Sequence, residues 1–273
     1  MIAIRNKNTI RNSTCIVLLT AVFSWSFCML SIANISPDTL RMQSSLENAF
    51  LVAFSNSDAL NSTRVFDILG YTDEQKRTIT NVVPKPSSLS VSFEPDLSGP
   101  GKFNSIEVLS RNTHFYKLII DSCKLNFNNV NINSQSLESG RILFNNFGQL
   151  GIETRVATTE ILKLFEYFSD ARKISNLKMT MKNSEILVSG TIKKGFFPVE
   201  FHSYGKPVLV GNDKINFRCR RLTVNGLPMP NAIIESIFSK INPVFDVKRT
   251  SLKLVLKNVE AKDGYIITNA DLR

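Results

Sequence analysis

Apolar and polar positions change their spacing several times along the chain, and each change marks an element. Residues 37–80 read as helical: SPDTLRMQSSLENAFLVAF opens with Ser-Pro-Asp and carries Leu40, Leu46, Phe50 and Phe54 at mixed helical spacing. Gly70 and the following TDEQKRT predict a break and a polar turn, and VVPKPSS (82–88) a linker; the Ser, Asn and Thr content of this region also fits partial disorder. From Ser88 the period becomes two. SLSVSF alternates at Leu89, Val91 and Phe93, and SIEVLS, HFYKLIIDS and CKLNFNNVNI follow as strands with Asn-rich breaks between them. RILFNNFGQLGIETRV is less regular and reads as a short amphipathic piece.

Thr158 or Thr159 caps a helix through EILKLFEYFSDARK, with Ile161, Leu164, Phe165 and Phe168 on one face and Arg172 and Lys173 in the last turn, where the helix dipole favours cations. Alternation resumes in NLKMTM, ILVSGTI and FPVEFHSYG, with KNSE as a turn, then in PVLV, the turn GNDK, and KINFRCRRLTV. In the last of these, parity runs Ile215, Phe217, Cys219 and then jumps to Leu222 and Val224. One sheet face cannot hold both sets without an extra residue, which predicts a β-bulge near Arg220. Pro228 and Pro230 bar a helix before them, Asn231 is the expected cap, and Asn242-Pro243 ends a helix whose greasy side is Ile233, Ile234, Ile237, Phe238 and Ile241. A final hairpin places Leu252, Leu254 and Leu256 on one face and turns at Asp263-Gly264. The order is helix, strands, helix, strands, helix, hairpin. That order predicts an α+β fold: a mainly antiparallel sheet with helices packed on one face, preceded by an N-terminal apolar helix.

That apolar segment sharpens the division of the chain. Arg5, Lys7 and Arg11 precede the uncharged run CIVLLTAVFSWSFCMLSIA (15–33), which ends in the small-x-small triplet Ser31-Ile32-Ala33. The pattern fits an export signal, or a membrane anchor if it is kept. Cys28 follows Ser26-Phe27, which is not a lipoprotein attachment site. The expected organisation is residues 1–34 as signal or anchor, 35–87 as a helical and linker region, and 88–273 as the main domain.

Of the formal net charge of +10, three positive charges lie ahead of the apolar run and the rest are dispersed, which favours anionic partners. Arg218, Arg220 and Arg221 are the densest cluster, with Lys193-Lys194 and Lys248-Arg249 behind it. Two readings fit these residues: the wet face of a sheet, or contact with anionic lipid headgroups. No Gly-aromatic RNA-binding signature or recognition-helix pattern accompanies them, so nucleic acid is not an expected partner. Chemistry is sparse. His114 and His202 each stand alone, and no GxSxG, Walker or GxGxxG motif occurs. Glu153, Glu160 and Glu166 do not form an obvious acid/base pair, and no metal or other cofactor is expected. Cys123 and Cys219 are read either as a disulfide or as buried free thiols.

The segment LVGNDKINFRCRRLTVNGLPMPNAIIESIFSKINPVFDV, followed by LKLVLKNVEAKDGYIITNA, resembles the LmeA-like phospholipid-binding family. The resemblance is carried by the order of Gly226, Pro228, Pro230, Asn242, Pro243, Asp263 and Gly264, with FEPDLSGPGKFNSIEVLSRN and TTEILKLF upstream, and spans about Ser88 to Leu272. It implies a non-catalytic α+β domain of the cell envelope, similar to tubular lipid-binding folds, in which a curved, mainly antiparallel sheet is wrapped around or covered by a few helices and phospholipid or another membrane lipid is held between them. The expected apolar lining is Phe165, Phe168, Ile233, Ile237, Phe238 and Ile241 from the helices and Phe197, Phe201, Phe217, Leu252 and Leu254 from the sheet, although any of these also suits ordinary core packing. The expected location is the periplasmic face of the inner membrane, or else an algal plastid. An envelope scaffold without lipid cargo and an enzyme acting on envelope lipid or glycan remain the alternatives.

Overall fold

The computed structural model describes residues 37–80, 83–115, 118–168, 174–182, 184–194, 197–249 and 253–272. The N-terminal apolar run and Leu252 lie outside them. The chain divides into two units, Met1–Ser44 and Ser45–Arg273. All the described strands belong to the second unit, as do all the described helices except the first, which crosses the division.

The helices are α1 (Pro37–Ala53), α2 (Ser57–Ser62), α3 (Val65–Ile68) and α4 (Asp73–Thr80), then α5 (Ser134–Glu138), α6 (Thr158–Phe168) and α7 (Asn231–Ile241). The strands are β1 (Ser88–Pro95), β2 (Lys102–Phe115), β3 (Leu118–Ile132), β4 (Phe144–Asn146), β5 (Gln149–Ala157), β6 (Ile174–Lys182), β7 (Glu185–Lys194), β8 (Phe197–Val210), β9 (Lys214–Val224), β10 (Leu227–Pro228), β11 (Phe245–Asp246), β12 (Leu254–Lys262) and β13 (Tyr265–Leu272). They build two curled antiparallel sheets rather than one. Sheet A runs β1-β2-β3-β5-β13-β12, with β4 on β3; sheet B runs β10-β9-β8-β7-β6, with β11 on β9. The sheets meet where β12 lies against β8.

Sheet A has a conventional core. Val91, Val108, Ile106 and Phe127 sit on one face and are at most 2% exposed. Phe144 stacks on Phe127 with ring centroids 4.9 Å apart, and Phe50 of α1 reaches both rings. Hydrogen bonds tie the helices down: Val91 N–H donates to the Glu47 carboxylate (3.2 Å), and Phe144 N–H to the Thr63 carbonyl (3.0 Å).

Several expectations shift. TDEQKRT is not a turn, because Thr72 and Gln75 exchange reciprocal hydrogen bonds (3.0 and 3.3 Å) that form a capping box and start α4. The Asn-rich stretches do not break the strands, since Asn112 and Asn129 take positive φ (46° and 50°) inside β2 and β3. Asparagine tolerates that region, so the ladder continues through them. The irregular stretch after Arg141 contains β4 and β5 instead of an amphipathic piece. Likewise FPVEFHSYG and PVLV are one strand, β8. At α7 the N-cap is Pro230, with no side-chain cap, and Asn231 is the first helical residue. The bulge falls where parity demands it: Tyr204 pairs with Arg221 and Gly205 with Cys219, leaving Arg220 as the extra residue. Asp263 (φ 52°) and Gly264 (φ 84°) make the last hairpin, both left-handed as a tight type I′ turn requires.

Candidate functional site: the two faces of sheet B

Register sorts sheet B into two chemically distinct faces. Met181, Ile186 and Gly205 share one face with Met179, Val188, Ser203 and Leu222 in the next row. The next rows are Gly190, Phe201 and Val224, then Ile192 and Val199. Beyond Gly205 the same face carries Phe217 opposite Pro207 and Ile215 opposite Leu209. This surface is apolar almost throughout. The opposite face holds Lys178, Ser189 and His202, and then Tyr204, Lys206, Arg218 and Arg221.

The apolar face is only partly covered. At its β8–β9 hairpin end, Ile215 and Leu209 join Val247, Leu256, Val259 and Ala270 in a packed cluster bridging to sheet A. Along β9 it is roofed by α7: Ile234 is buried and Phe238 packs on Phe217 with ring centroids 5.5 Å apart. Asn242 fixes the helix end. Its Oδ1 accepts from Phe217 N–H (2.8 Å) and its Nδ2 donates to the Phe217 carbonyl (3.1 Å). Helix α6 lies beside β6, β3 and β5, with its first amide donating to the Gly264 carbonyl (2.9 Å) and Glu160 accepting from Ile119 N–H (3.2 Å). Between these elements Leu177, Met179, Met181, Val188, Val199, Phe201 and Val224 stay half-buried, and Ile192 is exposed.

Two glycines shape the floor. A Cβ at Gly190 would stand 3.0 Å from the Phe201 ring, so that ring lies over the glycine. At Gly205 a Cβ would come within 2.4 Å of the Arg218 carbonyl, a backbone approach only glycine permits.

The predicted residues distribute unevenly over this site. Phe238 packs on Phe217, which faces Pro207, while Phe201 shares the same apolar face further along β8, opposite Val224. Ile233, Ile237 and Ile241 form the open edge of α7, each 39% exposed or more. Leu254 belongs to the packed cluster between the sheets. Phe165 and Phe168 lie on α6 and Phe197 begins β8, but their side chains are outside the described residues, as is Leu252 altogether. Leu177, Met179, Met181, Val188 and Val199 are apolar-face residues absent from the expected lining. Their alternation was visible in the sequence, and register was needed to put them on the face of Phe201.

Of the basic residues, Arg218 and Arg221 point from the polar face, and the Arg221 guanidinium is 6.0 Å from the Tyr204 ring centre. Arg220 leaves the ladder at the bulge and pairs with Glu185 (2.7 Å). Lys248 pairs with Asp213 (2.8 Å), and that hydrogen bond holds the Asp213 carboxyl below its ordinary range. The side chains of Lys193, Lys194 and Arg249 are outside the described residues.

Two surface cavities, of about 340 and 540 Å³, lie elsewhere: one beside α1 and Arg141, the other between Ile68 and the Lys257–Asp271 ion pair. None of the expected lining residues borders either. Cys123 and Cys219 are unpaired, and burial pushes the Cys123 thiol up to about 11. Among the described residues no group of three or more His, Cys, Asp or Glu could hold a metal ion, and no helix is long and apolar enough to cross a membrane.

Comparison with protein-family models, curated proteins and solved structures returns no match. The likeness to LmeA-like proteins therefore rests on the punctuation residues that carry it.

Proposed function

We propose that this chain is a non-catalytic lipid-binding protein of the cell envelope, holding acyl chain on the apolar face of sheet B beneath α6 and α7. The observation that carries the reading is the patch of half-buried side chains Leu177, Met179, Val188, Val199, Phe201 and Val224 on one face of sheet B. A sheet face left this open exposes apolar area to water, and hydrocarbon laid on it gains ~0.8 kcal/mol per buried CH₂. Methionine and phenylalanine suit an adaptable hydrocarbon surface, because the thioether chain repacks at low cost.

The test is mass spectrometry of an organic extract of the purified full chain. About one lipid per protein is expected, and it is lost in Val188→Asp while circular dichroism shows the β fold intact. A lipid-free chain whose melting temperature does not respond to added phospholipid vesicles would refute the reading.

The open edge of α7 favours a second reading, a scaffold whose protein partner covers Ile233, Ile237 and Ile241. The two separate cleanly: Ile237→Ser abolishes partner binding in the second and leaves lipid content unchanged.

A further inference from the structure

We propose that the polar face of sheet B is a docking surface for an anionic lipid bilayer, a site distinct from the apolar face behind it. Residues 174–224, which build β6 to β9, hold nine basic and three acidic residues, whereas residues 88–157, which build most of sheet A, hold six of each. The positive charge is therefore local to sheet B. Register concentrates it further, since Lys206 of β8 stands directly opposite Arg218 of β9, and Tyr204 opposite Arg221.

Like charges facing each other across a ladder destabilise a sheet. Here no acid relieves them: among the described residues Lys178, Lys206, Arg218 and Arg221 are exposed and make no ion pair. The two glutamates of these strands are engaged, Glu185 by Arg220 and Glu200 by His202 (3.3 Å). A partner bringing dense negative charge would neutralise the row.

The face has the chemistry of a membrane interface rather than of a polyanion groove. The cations are interleaved with Tyr204 and with Val208 and Val210, the latter 43% exposed, so the surface offers amphipathic contacts. Tyr204 stands in place of the run of stacking aromatics by which single-stranded nucleic acid is held.

The experiment is flotation of the full chain with phosphatidylcholine vesicles and with vesicles containing 30% phosphatidylglycerol. The apolar run at residues 15–33 contributes to both, so the readout is the ratio of the two affinities. That ratio is expected to favour the anionic vesicles strongly at low salt and to collapse in K206Q/R218Q/R221Q, by about fivefold per charge and on the order of a hundredfold in all. A control that removes three charges from the other sheet, K102Q/R111Q/K262Q, keeps the ratio. Equal binding to both vesicles, an equal loss in the control, or tight binding of heparin or single-stranded RNA without vesicle preference would overturn the proposal. None of these outcomes bears on whether lipid is extracted from the purified chain.

Discussion

Sheets A and B are both antiparallel and both amphipathic, yet they end in different states. The apolar face of sheet A meets α1, β4 and a cluster of phenylalanines, and the large side chains Leu46, Val91, Val108, Ile106, Ile132 and Phe144 of that region all fall below 2% exposure. Among the described residues none of sheet B reaches that level; its most buried apolar side chains, Ile186, Leu222 and Ile215, retain 5–8% exposure. The number of apolar residues does not explain the contrast, because β6 to β9 alternate as strictly as β1 to β3. It lies in the cover: sheet A is closed by α1, β4 and its phenylalanines, whereas among the described residues sheet B is roofed by α7 along β9 and the side chains in the middle of its face stay half-buried. Protein interiors are normally packed to crystal-like density, so the half-buried apolar side chains of sheet B mark where the proposed lipid would gain contacts.

Truncating equivalent rings should expose that difference most strongly. Phe144→Ala removes a fully buried ring and is expected to cost about 3–5 kcal/mol in urea unfolding. Phe201→Ala should cost less, about 1–2 kcal/mol, because its ring is only partly buried in the free protein. Equal losses would mean that sheet B is as tightly packed as sheet A. Next in size is Gly205→Ala, which forces the Arg218 carbonyl away and should cost about 1–3 kcal/mol; at Gly190 the same change crowds side chains alone, the Phe201 ring and Leu177, and should cost less. Asn242→Ala breaks two hydrogen bonds to Phe217 and frees the end of α7, with an expected loss of about 1–2 kcal/mol and faster release of bound lipid.

The smallest effect is chemical. With its thiol pushed to about 11 by burial, Cys123 holds on the order of one thiolate per thousand molecules at pH 8, so iodoacetamide should label it slowly. Its labelling should rise steeply as the pH approaches 11. The Cys219 thiol of sheet B is also raised by burial, but less enclosed, and should be labelled first.

Much of this architecture was legible in the residues, and what was not has physical reasons. The bulge at Arg220 follows from period-two parity alone, and α7 from its flanking prolines, because both signals are local. The Asn-rich segments misled because asparagine signals a turn but here sits at left-handed positions inside long strands. The capping box Thr72-x-x-Gln75 was present in the sequence, and the polarity of TDEQKRT hid it. Alternation and helix spacing mark Phe201, Phe217 and Phe238 as apolar candidates, but only the register and the packing of α7 put Phe238 on Phe217 and leave Phe201 further along the same face. The division into two sheets could not, since it depends on which strands pair over long separations: β13 returns to β5 while β8 stays with β7 and β9. The pairing of Lys206 with Arg218 is equally non-local, because it is set by a register that shifts at the bulge.

The most direct test of an open hydrocarbon face is methyl-detected NMR of the full chain with bound phospholipid, reading contacts from acyl-chain protons to protein methyl groups. Contacts to Met179, Met181, Val188 and Val199 of sheet B, with none to Ile106 or Val108 of sheet A, are the predicted result. Saturable lipid binding without acyl contacts to those four residues would contradict it.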